Sequence, residues 1–267
     1  MMKERILSHV SPEYPWKDHF HWVDETDSTN DRLKELARKG APHGTVMIAD
    51  RQSGGHGRMG RSFHSPGGVG IYFSMLLRPQ CQPGALMHLT CATAVAMCDA
   101  VEQAAGFRPG IKWTNDLVHG KRKLGGILTE LGLSSRGTVD YVIIGIGINC
   151  CQQEADFPSE IRQIAASLSM VTGTDIDRAA VAAAMMDALY RMDKILLTDK
   201  AGILDRYRKN CITIGQEISL LRVGQEVRHG KAIDMDDEGA LIVRFENGQV
   251  EAVNSGEVSV RGMYGYL

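Results

Sequence analysis

The chain has 267 residues, of which 43% are hydrophobic and 23% charged, and its formal net charge is −2. This composition is typical of a globular protein with one large core and a small second domain, and it argues against disorder. A charge so close to neutral also argues against a generic nucleic-acid-binding protein, since such proteins are usually strongly basic.

The N-terminal sequence MMKERILSHV is charged and lacks the apolar segment of a signal peptide. The longest apolar run, near 142–151, is too short to span a bilayer. Six cysteines show no CxxC pair and no regular spacing, which predicts neither a zinc site nor a disulfide scaffold. We therefore predict a cytoplasmic protein that does not enter a membrane.

Two regular elements are predicted before a glycine-rich loop. The sequence STNDRLKELARKG at 28–40 starts with a cap-type residue, repeats apolar residues on one face and ends in glycine, which predicts a short amphipathic helix. The sequence TVMIAD at 45–50 predicts a strand that leads into the loop.

The loop SGGHGRMGRS at 53–62 can be aligned with two phosphate-binding patterns. Its glycines spell GxGxxG, and 55–62 also fits a P-loop with Arg61 in place of lysine. Both patterns need a helix directly after the glycines, but FHSPGG at 63–68 predicts none. No acidic residue lies between Asp50 and Asp99 to bind a ribose, whereas arginines are frequent there. Two interpretations stay open: a mobile anion-binding loop, or a solvated glycine loop with incidental arginines.

The rest of the chain predicts an α+β fold, with a mixed β-sheet and packed helices. Strands are predicted at 69–78, 111–113, 123–131 and 140–150, and helices at 85–105, 178–197 and 203–209. After Cys211, short apolar alternations broken by glycines predict a small all-β domain with a hairpin at Asn247-Gly248. We expect a catalytic domain at 1–211 and a C-terminal β domain at 212–267.

Five separated motifs resemble those of biotin protein ligases, and they occur in that family's order. They are ETDSTN at 25–30, QSGGHGRMGR at 52–61, KWTNDL at 112–117, KLGGILTE at 123–130 and GIGIN at 145–149. The sequence GKAIDMDDEGALIV at 230–243 is similar to the small SH3-like C-terminal domain of the family. The resemblance spans roughly residues 22–260.

The resemblance implies a ligase that works in two steps with biotin, ATP and Mg²⁺. The biotin carboxylate attacks the α-phosphorus of ATP, and a lysine of a biotin carboxyl carrier domain then attacks the biotinyl-adenylate and releases AMP. Fixed cations must neutralise the two anionic reactants of the first step. The glycine loop is expected to close over the adenylate and exclude water. A monomer or a homodimer is implied.

The resemblance assigns catalytic roles to Lys123, Arg58 and Asp116, and Asp116 is also the candidate Mg²⁺ ligand. Lys123 is expected to contact the biotin carboxylate and the phosphate. The residues expected to bind biotin or ATP are Ser28, Thr29, Asn30, Gln52, Gly55, His56, Gly57, Arg58, Arg61, Asn115, Lys123, Gly126 and Asn149.

Each assignment has a structural alternative that the residue types leave open. The triplet at 28–30 could merely cap its helix, Gln52 could be a polar residue at a strand end, and Lys123 could be a solvated lysine. The glycines at 125 and 126 could mark a β-bulge, and the polar residues at 115, 116 and 149 could belong to turns.

Two residues depart from the family's pattern. His56 stands where the family often has arginine, which makes the loop less cationic because histidine is mostly neutral at pH 7. Thr114 stands where the family usually has proline, so the turn before Asn115 is less rigid.

Two other functions compete with biotin ligation. A lipoate or octanoyl ligase would share the architecture, but the C-terminal β domain and the GRMGR sequence favour biotin. The second is a repressor that uses biotinyl-adenylate as a corepressor. The first motif begins at Glu25, and fewer residues precede it than the roughly 50 of a small domain. We therefore expect catalysis and only weak, sequence-independent DNA binding.

Overall fold

The computed structural model describes residues 1–221, 226–254 and 259–262. The larger sheet has seven strands in the order β1-β2-β3-β7-β6-β5-β4. β1 and β2 are parallel, and the other neighbouring strands of this sheet pair antiparallel. The predicted mixed sheet is thus confirmed. Its strands are β1 (Phe20–Thr26), β2 (Thr45–Gln52), β3 (Gly70–Leu77), β4 (Gly110–Lys112), β5 (Asp116–His119), β6 (Arg122–Leu133) and β7 (Val139–Asn149).

Helices cover both faces of this sheet. Side chains alternate between the two faces along a strand, so β3 directs Phe73 and Met75 into the main core and Leu76 to the opposite face. On that opposite face α2 packs with Leu33 and Ala37. On the main-core face, α3 packs against both α5 and α6. The helices are α1 (Met2–His9), α2 (Thr29–Arg38), α3 (Leu89–Ala105), α4 (Leu168–Thr172), α5 (Arg178–Ile195) and α6 (Lys200–Asn210).

The helix expected at 85–105 is shorter than predicted. A separate 3-10 turn occupies Pro83–Leu86, and α3 begins only at Leu89, although it ends before Gly106 as predicted. His88 lies between the two, and its Nε2 atom is 2.8 Å from the carbonyl oxygen of Leu196. This tertiary contact is not encoded in helical periodicity.

The segment Pro83–Ala105 is long and apolar enough to cross a membrane by those two criteria, but 72% of its most apolar window is buried. Cys91 and Cys98 on α3 are buried in the main core. The burial of this segment is therefore that of a core helix.

A second, antiparallel sheet follows α6, in the strand order β11-β10-β9-β8-β12. The predicted hairpin is confirmed: β10 pairs with β11, and the amide of Gly248 donates to the carbonyl of Phe245 at 2.9 Å. The α+β fold class with a small all-β C-terminal domain is confirmed, while the boundary placed after Cys211 stays a prediction. The strands are β8 (Glu217–Leu221), β9 (Arg228–Met235), β10 (Leu241–Phe245), β11 (Val250–Val253) and β12 (Ser259–Gly262). The segments 222–225, 255–258 and 263–267 of the predicted domain lie outside the described residues.

The two sheets are linked by hydrogen bonds around Trp113. Its backbone amide donates to the Thr213 hydroxyl at 2.9 Å, and its indole N–H donates to the carbonyl of Gly239 at 3.0 Å. Tyr207 on α6 donates to the carbonyl of Thr114 at 3.1 Å, next to a cis peptide bond between Trp113 and Thr114. The chain that leads to Asn115 and Asp116 is therefore held by α6 and the C-terminal sheet.

Arg178, the first residue of α5, ties that helix to two segments of the large sheet. Its side chain is 9% exposed and donates to the carbonyl of Gly70 at 2.9 Å and to the carboxylate of Asp50 at 2.6 Å. We expect Arg178→Met to lower the free energy of unfolding by about 2 kcal/mol, because a carboxylate and a carbonyl lose their partner.

The matched control is Lys209, which forms an exposed ion pair with Asp205. The side chains of Lys209 and Asp205 are 71% and 56% exposed. Lys209→Met should change the free energy of unfolding by less than about 0.5 kcal/mol, because exposed ion pairs contribute little. Urea denaturation of both variants measures the difference, and equal losses would contradict a structural role for Arg178.

Candidate functional site

A cavity of about 570 Å³ opens on the face of the large sheet that carries α2. It lies beyond the N-terminal end of α2 and is bordered by the glycine loop, β5, β6 and β7. Twelve of the thirteen residues expected to bind biotin or ATP line it, and so does Asp116. They are Ser28, Thr29, Asn30, Gln52, His56, Gly57, Arg58, Arg61, Asn115, Lys123, Gly126 and Asn149.

Gly55 is the exception, since it does not line the cavity. Its backbone carbonyl accepts from the amide of Phe63 at 2.9 Å, and a Cβ atom there would lie 2.6 Å from the Ser65 hydroxyl. Within the described structure, Gly55 therefore supports the base of the loop rather than the wall of the cavity.

Two alternate positions of β7 that border the cavity carry no side chain. Gly145 on β7 pairs with Ser74 on β3, and Gly147 pairs with Tyr72. A Cβ atom on Gly145 would overlap the carboxamide of Asn30, and one on Gly147 would overlap the ring of Phe63. Both positions therefore need glycine for close packing.

A row of polar side chains forms one end of the cavity. Ser28 caps α2, since its hydroxyl accepts from the amide of Asp31 at 3.4 Å. The amide and the hydroxyl of Thr29 donate to Oε1 of Gln52 at 2.8 and 3.0 Å. Gln52 in turn donates to the Ser65 hydroxyl at 3.2 Å. The helix-cap interpretation of Ser28 is therefore correct and compatible with a ligand contact, because Ser28 also lines the cavity.

Asn30 continues this row and is only 5% exposed. Its Nδ2 donates to Glu130 at 2.8 Å, and its Oδ1 accepts from the hydroxyl of Ser74 at 2.6 Å. Neither Ser74 nor Glu130 was predicted as a functional residue, although Glu130 is the last residue of the motif KLGGILTE.

Charged residues gather at the other end of the cavity. Lys123 donates to Asp116 at 2.7 Å, and its ammonium lies 6.0 Å from the ring centre of Phe63. Arg58 donates to Oδ1 of Asn115 at 3.0 Å. Asn115 also donates to Asp116 at 3.3 Å, so the two cationic side chains share one carboxylate–amide pair.

Burial lowers the pKa of the Arg58 guanidinium, while the charge of Asp116 raises it and that of Arg61 lowers it further. Arginine starts from a pKa above 12, so Arg58 stays protonated at pH 7. A partly buried, permanently charged guanidinium beside a lysine suits an anion such as a carboxylate or a phosphate.

The glycine loop lies along the cavity, and several of its residues line it. The amide of Gly57 donates to the carbonyl of Arg61 at 2.6 Å, and Met59 has a left-handed φ of 57°. Nδ1 of His56 lies 3.2 Å from the carbonyl oxygen of Gly54 and 3.9 Å from the carboxylate of Asp31. The loop therefore brings His56 and the two arginines to the cavity, as predicted.

A wall of the cavity was missed by the sequence analysis. The segment 157–165 contributes Phe157, Ile161, Ile164 and Ala165 to it. The backbone of this segment is hydrogen-bonded to that of Lys123, whose amide donates to the carbonyl of Ile164 at 2.7 Å. These residues are apolar and irregularly spaced, so no sequence pattern marks them. Lys112 and Trp113 also line the cavity, and their place in the motif KWTNDL could have indicated this.

Asp116 is the one carboxylate that lines the cavity among the described residues. No group of three or more His, Cys, Asp or Glu side chains that could hold a metal occurs in the described ranges. The donor set does fit Mg²⁺ that arrives with a triphosphate, because such ions use one or two protein carboxylates together with phosphate oxygens and water.

Comparisons with known proteins place these residues in a family. A model described as the biotin/lipoate A/B protein ligase family matches residues 22–149, and one described as the biotin protein ligase C terminal domain matches 213–261. The biotin–[acetyl-CoA-carboxylase] ligase of Paracoccus denitrificans is 32% identical, over 89% of this chain and 98% of that protein. The bifunctional ligase/repressor BirA of Bacillus subtilis is 36% identical, over 91% of this chain and 74% of that protein.

A solved structure of similar fold is the biotin protein ligase of Aquifex aeolicus in complex with biotin and ATP. It has a TM-score of 0.77 and 32% sequence identity, and the match covers 91% of this chain and 98% of that one.

We expect amides at 52–65 to exchange faster than those of β3 in the free protein and to become protected when biotin is added. The backbone of glycine is flexible and its lack of a side chain provides few packing contacts, so this loop should open locally. Amide hydrogen exchange measures the effect, with the buried strand β3 as the internal reference. Strong protection of 52–65 that is equal with and without biotin would contradict a closing loop.

Proposed function

This chain belongs to the biotin/lipoate A/B protein ligase family, and we infer from that membership that it is an ATP-dependent biotin protein ligase. It activates biotin to biotinyl-5′-AMP and transfers biotin to a lysine of a biotin carboxyl carrier domain. The observation that best supports the residue assignment is a cavity with a polar row at one end and a Lys123–Asp116–Arg58 cluster at the other.

The first step joins two anions, and the charged end of the cavity matches that need. The biotin carboxylate attacks the α-phosphorus of ATP, a P–O bond forms, and pyrophosphate leaves. We assign Lys123, Arg58 and Arg61 to neutralise the carboxylate and the phosphates, because fixed cations stabilise charge that develops in a water-poor site. Asn115 orients Arg58 through the 3.0 Å hydrogen bond.

Mg²⁺ enters with ATP as part of the substrate, and Asp116 is our candidate ligand from the protein. The ion would neutralise phosphate charge when bound. Asp116 also accepts from Lys123, so its carboxylate holds the ammonium at the charged end before substrates arrive. Gly126 lies beside this pair and leaves room for a ligand there.

The second step needs an amine near the adenylate and little water. The acceptor lysine attacks the acyl carbon, an amide bond forms, and AMP leaves with the electron pair of the broken C–O bond. We propose that the loop covers the mixed anhydride, with Phe63 seated against Gly147 as its anchor. Asp116 and Asn149 are candidates to orient the incoming amine.

The polar row is our assignment for the biotin ring. Ser28, Thr29 and Gln52 offer hydroxyl and amide groups to the cavity, and Gln52 keeps one amide hydrogen beyond the one it gives to Ser65. The ring of biotin carries a ureido group, which needs both donors and acceptors. A lipoyl ring makes no use of such a row.

We also propose a setting for this activity. All six cysteines are free thiols, which suits the reducing cytoplasm. A monomer or a homodimer is expected, and the near-neutral net charge of −2 favours only weak, sequence-independent contact with DNA. The similarity to proteins named bifunctional ligase/repressor keeps a biotin-responsive regulator as the alternative function.

The direct test is transfer of labelled biotin to a carrier domain. We expect the protein, mixed with MgATP, labelled biotin and a biotin carboxyl carrier domain, to label one lysine of the carrier. Excess lipoate should not compete, because it lacks the ureido group. A carrier that stays unlabelled, or labelling that lipoate abolishes, would contradict biotin ligation.

Lys123→Gln should slow adenylation strongly. The substitution removes a charge-assisted contact of roughly 1.5 to 3 kcal/mol, which corresponds to a loss of about tenfold to somewhat over a hundredfold in rate. Biotin-dependent release of pyrophosphate without carrier isolates this step.

Lys121 provides the matched control, since it is exposed, lies two residues away and does not line the cavity. Lys121→Gln changes the net charge equally and should leave the rate within about twofold of the original, as expected of a solvated charge. Equal rates for the two variants would remove Lys123 from the mechanism.

A further inference from the structure

Glu130 lies under the polar row without lining the cavity itself. Its carboxylate accepts from Nδ2 of Asn30 at 2.8 Å and from the ammonium of Lys34 at 3.0 Å. Lys34 also pairs with Asp31 at 2.7 Å. Glu130 is thus a charged residue that can influence the cavity only through its partners.

The carboxylate decides which way the Asn30 carboxamide points. An ionised carboxylate can only accept hydrogen bonds, so the NH₂ group of Asn30 must face Glu130. Its Oδ1 must then face Ser74, whose hydroxyl donates to it at 2.6 Å. With the opposite orientation, the amide oxygen would meet a carboxylate oxygen, which is repulsive.

Close packing prevents the carboxamide from moving aside. Asn30 is 5% exposed, and its carboxamide lies directly over the Cα atom of Gly145. One of its two N–H bonds is given to Glu130, so the other is the group that Asn30 can offer to the cavity it lines. The cavity therefore meets a donor at this position.

The same orientation leaves an acceptor beside that donor. The Ser74 hydroxyl has one hydrogen, and two oxygens lie within reach of it: Oδ1 of Asn30 at 2.6 Å and Oγ1 of Thr29 at 2.8 Å. The hydrogen of the Thr29 hydroxyl is directed at Gln52. When Ser74 donates to Asn30, Oγ1 of Thr29 keeps a lone pair for a ligand.

We propose that Glu130 is a positioning residue that fixes this donor–acceptor pair and so makes the site select a ureido ring. A ureido group presents a carbonyl oxygen next to an N–H, which complements an Asn30 donor next to a Thr29 acceptor. This inference rests on the proposed ligation of biotin and adds a residue that sets its specificity. A ring without these groups would leave both buried partners unpaired, and such sites reject analogues strongly.

The test separates Asn30 orientation from the ion pair with Lys34. Glu130→Ala should raise the KM for biotin at least about tenfold, because Asn30 loses a charged partner and can rotate, with the KM for ATP within about twofold. Glu130→Gln retains an acceptor for Asn30 and should recover most of the loss. Lys34→Met removes the ion pair but not the Asn30 contact, and its KM for biotin should stay within about threefold.

A substrate analogue identifies the contact itself. Sulfur in place of the ureido oxygen is a weak acceptor, so the original protein should prefer biotin to this thio-analogue in kcat/KM. Glu130→Ala should reduce that preference about tenfold, because the affected contact is the one to the oxygen. Melting temperatures of all variants report whether the fold is intact.

An unchanged preference in Glu130→Ala would overturn the proposal, as would a Lys34→Met variant equally impaired for biotin. Parallel increases in the KM for biotin and ATP would indicate general damage and would overturn it too. If the original protein does not use biotin at all, the proposed function fails instead, so the two failures are distinguishable.

Discussion

The site depends on two alternate positions of strand β7 that carry no side chain on one face of the large sheet, so that other side chains pack directly against the strand. Any Cβ atom at Gly145 would displace Asn30, and any at Gly147 would displace Phe63. One strand therefore sets two distances at once: how closely helix α2 brings the polar row to the sheet, and how closely the glycine loop can settle on it. Both ends of the cavity are built against this surface.

The two ends obey opposite electrostatic requirements. At the charged end, Asp116 and Asn115 hold Lys123 and Arg58 in place in the folded protein, so the proposed anion contacts need little reorganisation of these cations. At the polar end, the side chains of the row that line the cavity are neutral, so the proposed selectivity there comes from the direction of each hydrogen bond. In the proposed site, a ligand with an uncharged polar end and an anionic end would thereby be bound in one orientation.

Much of the lining of this cavity was predictable from sequence, because its motifs keep several of the lining residues adjacent in the chain. The helix cap at Ser28, the loop arginines and Lys123 were found in this way. The wall at 157–165 was not, since its apolar residues follow no period and act through backbone contacts with Lys123. The predicted start of α3 was also wrong, because the contact of His88 with Leu196 joins residues far apart in sequence. Strands β1 and β5 were missed: the first is polar at several positions and the second has four residues.

The two ends of the polar row determine which group donates in each of its hydrogen bonds. At one end Glu130 can only accept; at the other, the Ser65 hydroxyl donates to the carbonyl of Phe63 at 2.9 Å, so Ser65 must accept from Gln52. The hydroxyl hydrogens of Thr29 and Ser74 therefore point outward from the centre of the row, towards Gln52 and Asn30. The two hydroxyl oxygens lie 2.8 Å apart, and no hydrogen is left to bond between them. A ligand N–H is the group that relieves this shortage. Because Phe63 and Ser65 lie in the segment 52–65, the hydrogen-bond pattern that we propose selects the ring extends into the segment expected to close over it.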